Sequence, residues 1–245
     1  MSITAGSLYR DTGNFFRDQL VTIVLMALLT SFITVIVGHA LTPNAEQLSL
    51  LAEGSSDSAS SLFEMVQNMS PEQQSVLLRT SAAGTFASLI GNTLLLGGML
   101  CLIPMASSQK RVSALRAIGT AAPLLPKLLL QTFLITLLVQ LGFMAVFVPG
   151  VILAILFSLA PVMLANDKLG VFGSLKASSK LAWRNVKLIA PAIMLWLLAK
   201  VAIMLFFSTL TLLPANVSAV VLNALGNLVS ALLVIYLYRL YMLVR

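Results

Sequence analysis

LLLQTFLITLLVQLGFMAVFVPGVILAILFSLAPVMLAN, residues 128–166, runs for 39 positions without a charged side chain. As one helix it would be about 58 Å long, nearly twice the roughly 30 Å of hydrocarbon in a bilayer. It must fold back on itself. Pro149 and Gly150 supply the expected break, because Pro cannot continue the preceding helical hydrogen bonding and Gly tolerates the backbone of a tight hairpin. Working outward, charge-poor stretches lie about residues 20–39 and 82–106 on one side and 188–239 on the other, the last divided by Leu213, Pro214, Ala215 and Asn216. The reading is six transmembrane helices, about 20–39, 82–106, 127–148, 151–166, 188–212 and 217–239, in one integral membrane domain spanning 1–245. The fold class is an all-α polytopic bundle.

Composition agrees. Of 245 residues, 59% are hydrophobic and 9% charged, against about 45–50% and about 25% in a soluble domain. The surface of a water-soluble globule this size cannot be solvated by so few charges. Cys101 and His39 are single, and no Asp or Glu interrupts a long apolar run. General acid–base, nucleophilic and metal chemistry therefore lack material, and the expectation is a protein that is not an enzyme and needs no cofactor.

Thirteen of the fifteen Lys and Arg residues flank one end of the predicted spans: Arg10 and Arg17, Lys110, Arg111, Arg116 and Lys127, Lys168, Lys176, Lys180, Arg184 and Lys187, then Arg239 and Arg245. The positive-inside rule places both termini in the cytoplasm. The loop of about residues 40–79, with Glu46, Glu53, Asp57, Glu64 and Glu72, falls on the periplasmic side. Within it, EGSSDSASS (53–61) reads as a flexible connector, and Leu62, Phe63, Met65, Val66 and Met69 have the spacing of a short interfacial helix. Ser70, Pro71 and Gln73 form a helix-start signature. Gly38, His39 and Ala40 loosely resemble a signal-peptide cleavage site, but an 18-residue apolar core behind mixed charges reads better as a retained anchor.

Each odd-numbered span follows a basic segment of similar pattern. Ser7, Leu8 and Arg10 precede Phe16, Arg17 and Asp18; Ser174, Leu175 and Lys176 precede Trp183, Arg184 and Asn185 at the same spacing; Ala114, Leu115 and Arg116 form a reduced middle copy. Three units result, each an amphipathic cytoplasmic helix followed by a membrane hairpin, unless the likeness is only that of Leu-rich and Arg-rich segments. Pro149–Gly150, then Ala160–Pro161–Val162, then SLKASSKLAWRN (174–185) resemble six-helix membrane domains attached to some glycerophosphodiester phosphodiesterases, with Arg184 where a Gly is common. Over nearly its whole length, including MSITAGSLYRDTGNFFRDQ, QNMSPEQQ and QKRVSALRAIG, the chain resembles the enterobacterial family called YciC. That resemblance implies a multi-pass inner-membrane protein and fixes location rather than activity.

Lys200, 12 residues into the span after Lys187, is the anomaly. A mid-bilayer cation costs about 2.5–3.5 kcal/mol on insertion scales. Its candidate partners are Asn92, Gln131, Gln140, Asn223 and Asn227, backbone carbonyls, or a lipid phosphate. It is either an anion or headgroup site, or a long side chain snorkelling to an interface or shedding its proton. Lys176, Lys180 and Arg184 recur every fourth residue and, with Lys187, form a stripe opposite Phe172, Leu175, Ala182 and Val186. This stripe serves to retain anionic phospholipid headgroups or simply to set topology. No aromatic-interleaved module accompanies the bases, so nucleic acid is not an expected partner. Ala83, Ala87 and Gly91, with Gly84 and Ser88, predict close helix packing, and Asn92, Asn223 and Asn227 predict interhelical hydrogen bonds. Trp183, Tyr236, Tyr238 and Tyr241 predict interfacial anchoring. The functional expectation is a protein that organises membrane lipids or partner proteins in the envelope. The alternative is a small-solute or lipid transporter with its polar site at Lys200.

Overall fold

The computed structural model describes residues 5–43, 69–108, 112–145, 147–167, 169–208 and 214–245. The interfacial helix expected between Leu62 and Met69 falls outside them but for its last residue, as do Lys110, Arg111 and Lys168. The regular elements among the described residues are all helices: α1 (Ala5–Asp18), α2 (Leu20–Leu41), α3 (Pro71–Ser107), α4 (Ala114–Ala121), α5 (Leu125–Ala145), α6 (Phe147–Phe157), α7 (Ala160–Asn166), α8 (Val171–Arg184), α9 (Val186–Ser208) and α10 (Ala215–Val244). Six segments are long and apolar enough to cross a membrane, with α6 and α7 together forming the fourth. The chain is thus an all-α polytopic bundle.

Local chemistry explains the helix ends. Ser70 caps α3: its hydroxyl accepts from the Gln73 N–H at 3.2 Å while its own N–H donates to Gln73 Oε1 at 2.9 Å. This reciprocal pair satisfies two otherwise orphaned donors. The 37 residues of α3 extend about 56 Å, so its first turns project beyond the hydrocarbon.

The decisive hairpin turns earlier than expected. α5 ends at Ala145 and α6 starts at Phe147, so Pro149 lies in the first turn of α6, where its missing N–H costs nothing. Gly150 is helical as well. Its role is steric: a Cβ there would stand 2.5 Å from the Phe143 ring, and one on Gly142 would stand 2.9 Å from the Gly150 Cα. Bare backbones let α5 and α6 touch. The fourth span is then interrupted between α6 and α7, where Pro161 has no N–H to offer the Phe157 carbonyl. The neighbouring Leu156 carbonyl accepts from the Ser178 hydroxyl of α8 at 2.7 Å.

The spans follow one another around a ring in chain order, α2, α3, α5, α6 with α7, α9 and α10; α10 returns to α2 and also packs directly on α3 across it. The short amphipathic helices repeat one relation around it. α4 packs on α3, α8 on α6 and α7, and α1 on α10, so each rests against the second span of the preceding unit. Asp11 pairs with Arg239 at 3.4 Å and Tyr9 stacks on Tyr236 with centroids 4.9 Å apart, which brings α1 to the last turns of α10. That end of the bundle also carries Arg116, Lys127, Lys176, Lys180, Arg184, Lys187 and Arg245, and is the basic end.

Packing is uneven along the ring axis. The largest fully buried side chains, Leu8, Ile23, Met26, Met99, Leu102, Ile103, Leu128, Leu159, Ile189, Ile235, Leu240 and Tyr241, all lie in the half nearer the basic end. In the other half, α5 and α9 bury little and α3 exposes Ser88 and Asn92 toward the ring interior. Among the described residues, the bundle is sealed at the basic end and open at the other.

Candidate functional site

The open half holds a cleft of about 340 Å³ among α2, α3, α9 and α10. Lys200 lines it with Thr34, Ser88, Asn92, Asn223 and Asn227. Helix packing produces this convergence. α2 and α3 cross so closely that a Cβ on Gly91 would collide with Thr34 Oγ1, and one on Gly38 would stand 3.7 Å from the Ala87 Cβ. With Ala83, Ala87 and Gly91 committed to that contact, the adjacent stripe of α3 turns inward. Gly84 and Ser88, grouped with them by sequence as packing residues, are exposed and line the interior instead.

Asn227 forms the floor of the cleft. Its amide donates to Thr30 Oγ1 at 3.0 Å and to the Ala27 carbonyl at 3.3 Å, tying α10 to α2, as expected. Asn223 bonds instead within its own helix, to the Ala219 carbonyl at 2.9 Å. Asn92 makes no side-chain hydrogen bond among the described residues. Its line of polar neighbours continues along α3 through Ser88 and Thr85 to Ser81, facing Thr136 and Gln140 of α5 across a second cleft that shares Ser88 and Asn92 with the first. Of the candidate partners for Lys200, three thus share its cleft and Gln140 its margin. Gln131 is elsewhere, fully buried and donating to Ser174 Oγ at 2.6 Å.

Lys200 Nζ stands 4.9 Å from the centroid of the Trp196 ring, whose Nε1 donates to Ser230 Oγ at 3.3 Å. Gly226 lies directly opposite, its absent Cβ 4.0 Å from Nζ. The two ion pairs among the described residues, Arg239–Asp11 and Arg245–Asp167, are both at the basic end. Lys200 therefore has an aromatic face and amides beside it, with no carboxylate among the described residues pairing it. No three metal-ligating side chains converge among the described residues.

At the basic end, α8 is held by its serine face. Ser174 takes the Gln131 amide and Ser178 donates to Leu156, while Leu175 and Ala182 are buried beside them. Lys176, Lys180, Arg184 and Lys187 are exposed, as the stripe predicts. Phe172 departs from the reading: it is 73% exposed and Trp183 63%. At about 100° per residue both fall beside the cations rather than opposite them. The tyrosines depart too. Tyr236, Tyr238 and Tyr241 are buried, bonding the Leu188 carbonyl at 2.9 Å, Asn166 Oδ1 at 3.3 Å and Asp167 Oδ2 respectively. An apolar body with one polar tip suits a bundle interior as well as a membrane interface.

A family model described as "Uncharacterised protein family (UPF0259)" matches residues 1–243. The chain belongs to this family. Relatives called UPF0259 membrane proteins are 57% identical in Serratia proteamaculans (strain 568) and 54% identical in Pectobacterium carotovorum subsp. carotovorum (strain PC1), each match covering 100% of both chains. A third, from Yersinia pestis (strain Pestoides F), is 50% identical over 100% of this chain and 97% of the relative. No solved structure matches. The YciC resemblance is borne out: UPF0259 spans the chain, and its enterobacterial members are membrane proteins. The family name adds no chemistry to the two sites.

Proposed function

We propose that the chain is a non-enzymatic protein of the bacterial inner membrane, its basic end in the cytoplasm, that gathers anionic phospholipids on that leaflet. The observation that carries the reading is the exposed face of α8. There Lys176, Lys180 and Arg184, continued by Lys187 in the first turn of α9, are flanked by Phe172 and Trp183 while the opposite face of α8 is hydrogen-bonded into the bundle. Aromatic side chains at a headgroup boundary and bases over an anionic surface both favour such a placement, each base by about 1 kcal/mol. A face fixed to a rigid bundle also loses little freedom on binding. The test is replacement of all four bases by Gln in the full chain, followed by quantification of co-purifying lipid in mild detergent. The ratio of phosphatidylglycerol and cardiolipin to phosphatidylethanolamine should fall several-fold. An unchanged ratio overturns the proposal.

One observation favours transport of a small solute or lipid instead: the polar cleft at Lys200. A carrier would have to part the seal of Met26, Met99, Ile103 and Leu240 at the basic end to complete alternating access. Flux in proteoliposomes discriminates, since a lipid-gathering protein produces none.

A further inference from the structure

We propose that the Lys200 cleft is a binding site for a phosphate-class anion, reached from the open half of the ring. The proposal does not rest on the reading of α8, which lies at the other end of the bundle.

Lys200 supplies a positive charge and up to three N–H donors, Asn92 two and Ser88 one, and neither Asn92 nor Ser88 spends its side chain on a hydrogen bond among the described residues. Asn223 uses one amide hydrogen on Ala219 and keeps the other. No carboxylate among the described residues lines the cleft. A cation held in a low-dielectric region with donors around it and no counter-charge is a site for a multivalent oxyanion. The unusual cost of Lys200 points the same way: helix α9 is otherwise uncharged after Lys187, and an ammonium at this depth is tolerated when it faces a polar interior or a partner. Snorkelling does not describe the observed position. Nζ lies over the Trp196 ring and against Gly226, within the walls of the cleft rather than along the lipid-facing side of α9. The size fits, since about 340 Å³ is at the lower end of ordinary small-ligand pockets. Phosphate is the committed class because its tetrahedral oxygens engage donors from α3, α9 and α10 together, whereas a planar carboxylate engages fewer.

The phosphoryl group can be that of a phospholipid of the leaflet at the open end or of a soluble phosphate. Trp196 provides the readout. The chain has two tryptophans, so the Trp183→Phe protein in phosphate-free dodecyl maltoside micelles reports from Trp196 alone, 4.9 Å from the ammonium. Inorganic phosphate, glycerol phosphate, phosphatidylglycerol and phosphatidylethanolamine are titrated separately. A saturable change in Trp196 emission is expected with phosphatidylglycerol only, which assigns a lipid headgroup, or with the soluble phosphates also, which assigns a free anion. Lys200→Gln should weaken binding at least about tenfold, as loss of a charge-assisted hydrogen bond does, and Lys200→Arg should retain it. Asn92→Ala, which breaks no bond within the protein, should weaken binding several-fold without changing stability. Lys127→Gln, at an exposed base outside both sites, should have no effect. The proposal is overturned if no phosphate-bearing probe gives a saturable change, or if Lys200→Gln and Asn92→Ala both respond as the parent does.

Discussion

Replacing Gly142 by Ala tests whether bare backbone contact holds the central hairpin. In α5 the new methyl would stand 2.9 Å from the Gly150 Cα, 3.0 Å from the Gly150 nitrogen and 3.0 Å from Leu153 Cδ1. Two of these atoms are backbone, so no rotamer change relieves them and α5 must move away from α6. Overpacking of this kind costs about 1–3 kcal/mol, set against about 1 kcal/mol of helix propensity recovered when Gly becomes Ala. Gly84 in α3 is the internal control. Nothing lies within 4 Å of its Cβ position, so Gly84→Ala keeps the propensity gain without the clash. The expected gap between the two variants is therefore about 1–3 kcal/mol in favour of Gly84→Ala. Gly150→Ala adds a contrast, because its obstacle is the Phe143 ring at 2.5 Å: shortening that side chain in Phe143→Leu should recover part of the loss, whereas the same change should do little for Gly142→Ala. The assay is reversible unfolding in mixed micelles followed by helical circular dichroism. If Gly142→Ala proves as stable as Gly84→Ala, the close-approach account of the hairpin is wrong.

Three further substitutions follow from single contacts. Ser174→Ala strands the fully buried Gln131 amide at a cost of about 1–3 kcal/mol, and should raise trypsin cleavage at Lys176 and Lys180; adding Gln131→Leu should restore protection, because the stranded group is then gone. Asn227→Leu removes the bonds to Thr30 and Ala27 and should lower stability by about 0.6–2 kcal/mol, the range for interhelical hydrogen bonds in membranes, measured by the same unfolding assay. Thr12 is buried with its hydroxyl unpaired among the described residues, so Thr12→Val should be neutral or stabilising by up to about 1 kcal/mol; a clear loss of stability would mean that the hydroxyl has a partner in the membrane.

How far the sequence carries depends on whether a feature is set by one helix or by two. The spans are legible because charges are excluded from hydrocarbon residue by residue, and the Ser70 cap because its partners are three residues apart. The cations of α8 are legible for the same reason, their exposed stripe following from a period of 3.6. Rotation of one helix against another is not written locally. Nothing in the order of residues 81–92 says that Ala83, Ala87 and Gly91 face α2 while Ser81, Gly84, Thr85, Ser88 and Asn92 face inward; that choice follows from the collision distance at Thr34. The tyrosines of α10 were misplaced by the same ignorance. Their partners Leu188, Asn166 and Asp167 are between 48 and 74 residues away, and only the ring closure of α10 on α7 and α9 brings them within reach. Pro149 misled for a different reason, since a proline two residues inside a helix and one in a turn look alike in sequence.

Ring closure also explains why the polar interior is one-sided. Superimposing the units on their basic segments, Ser7–Leu8, Ala114–Leu115 and Ser174–Leu175, places Ile33, Gln140 and Lys200 at the same register of α2, α5 and α9. Two of these three line the connected clefts. A cation at this register in every unit would put three like charges in one low-dielectric interior, where each pair about 8 Å apart repels by about 2 kcal/mol at an effective dielectric of about 20. One Lys, one Gln and one apolar residue avoid that repulsion while leaving a single positive centre. The second spans show the complementary asymmetry: Asn92 of α3 and Asn223 and Asn227 of α10 face the cation, whereas the fourth span, broken at Pro161, carries no amide until Asn166 at its basic end. The side of the ring that could not supply polar partners is thus the side whose helix is interrupted. Beside that interruption the Leu156 carbonyl accepts from Ser178 of α8, which fixes the cationic face at the basic end.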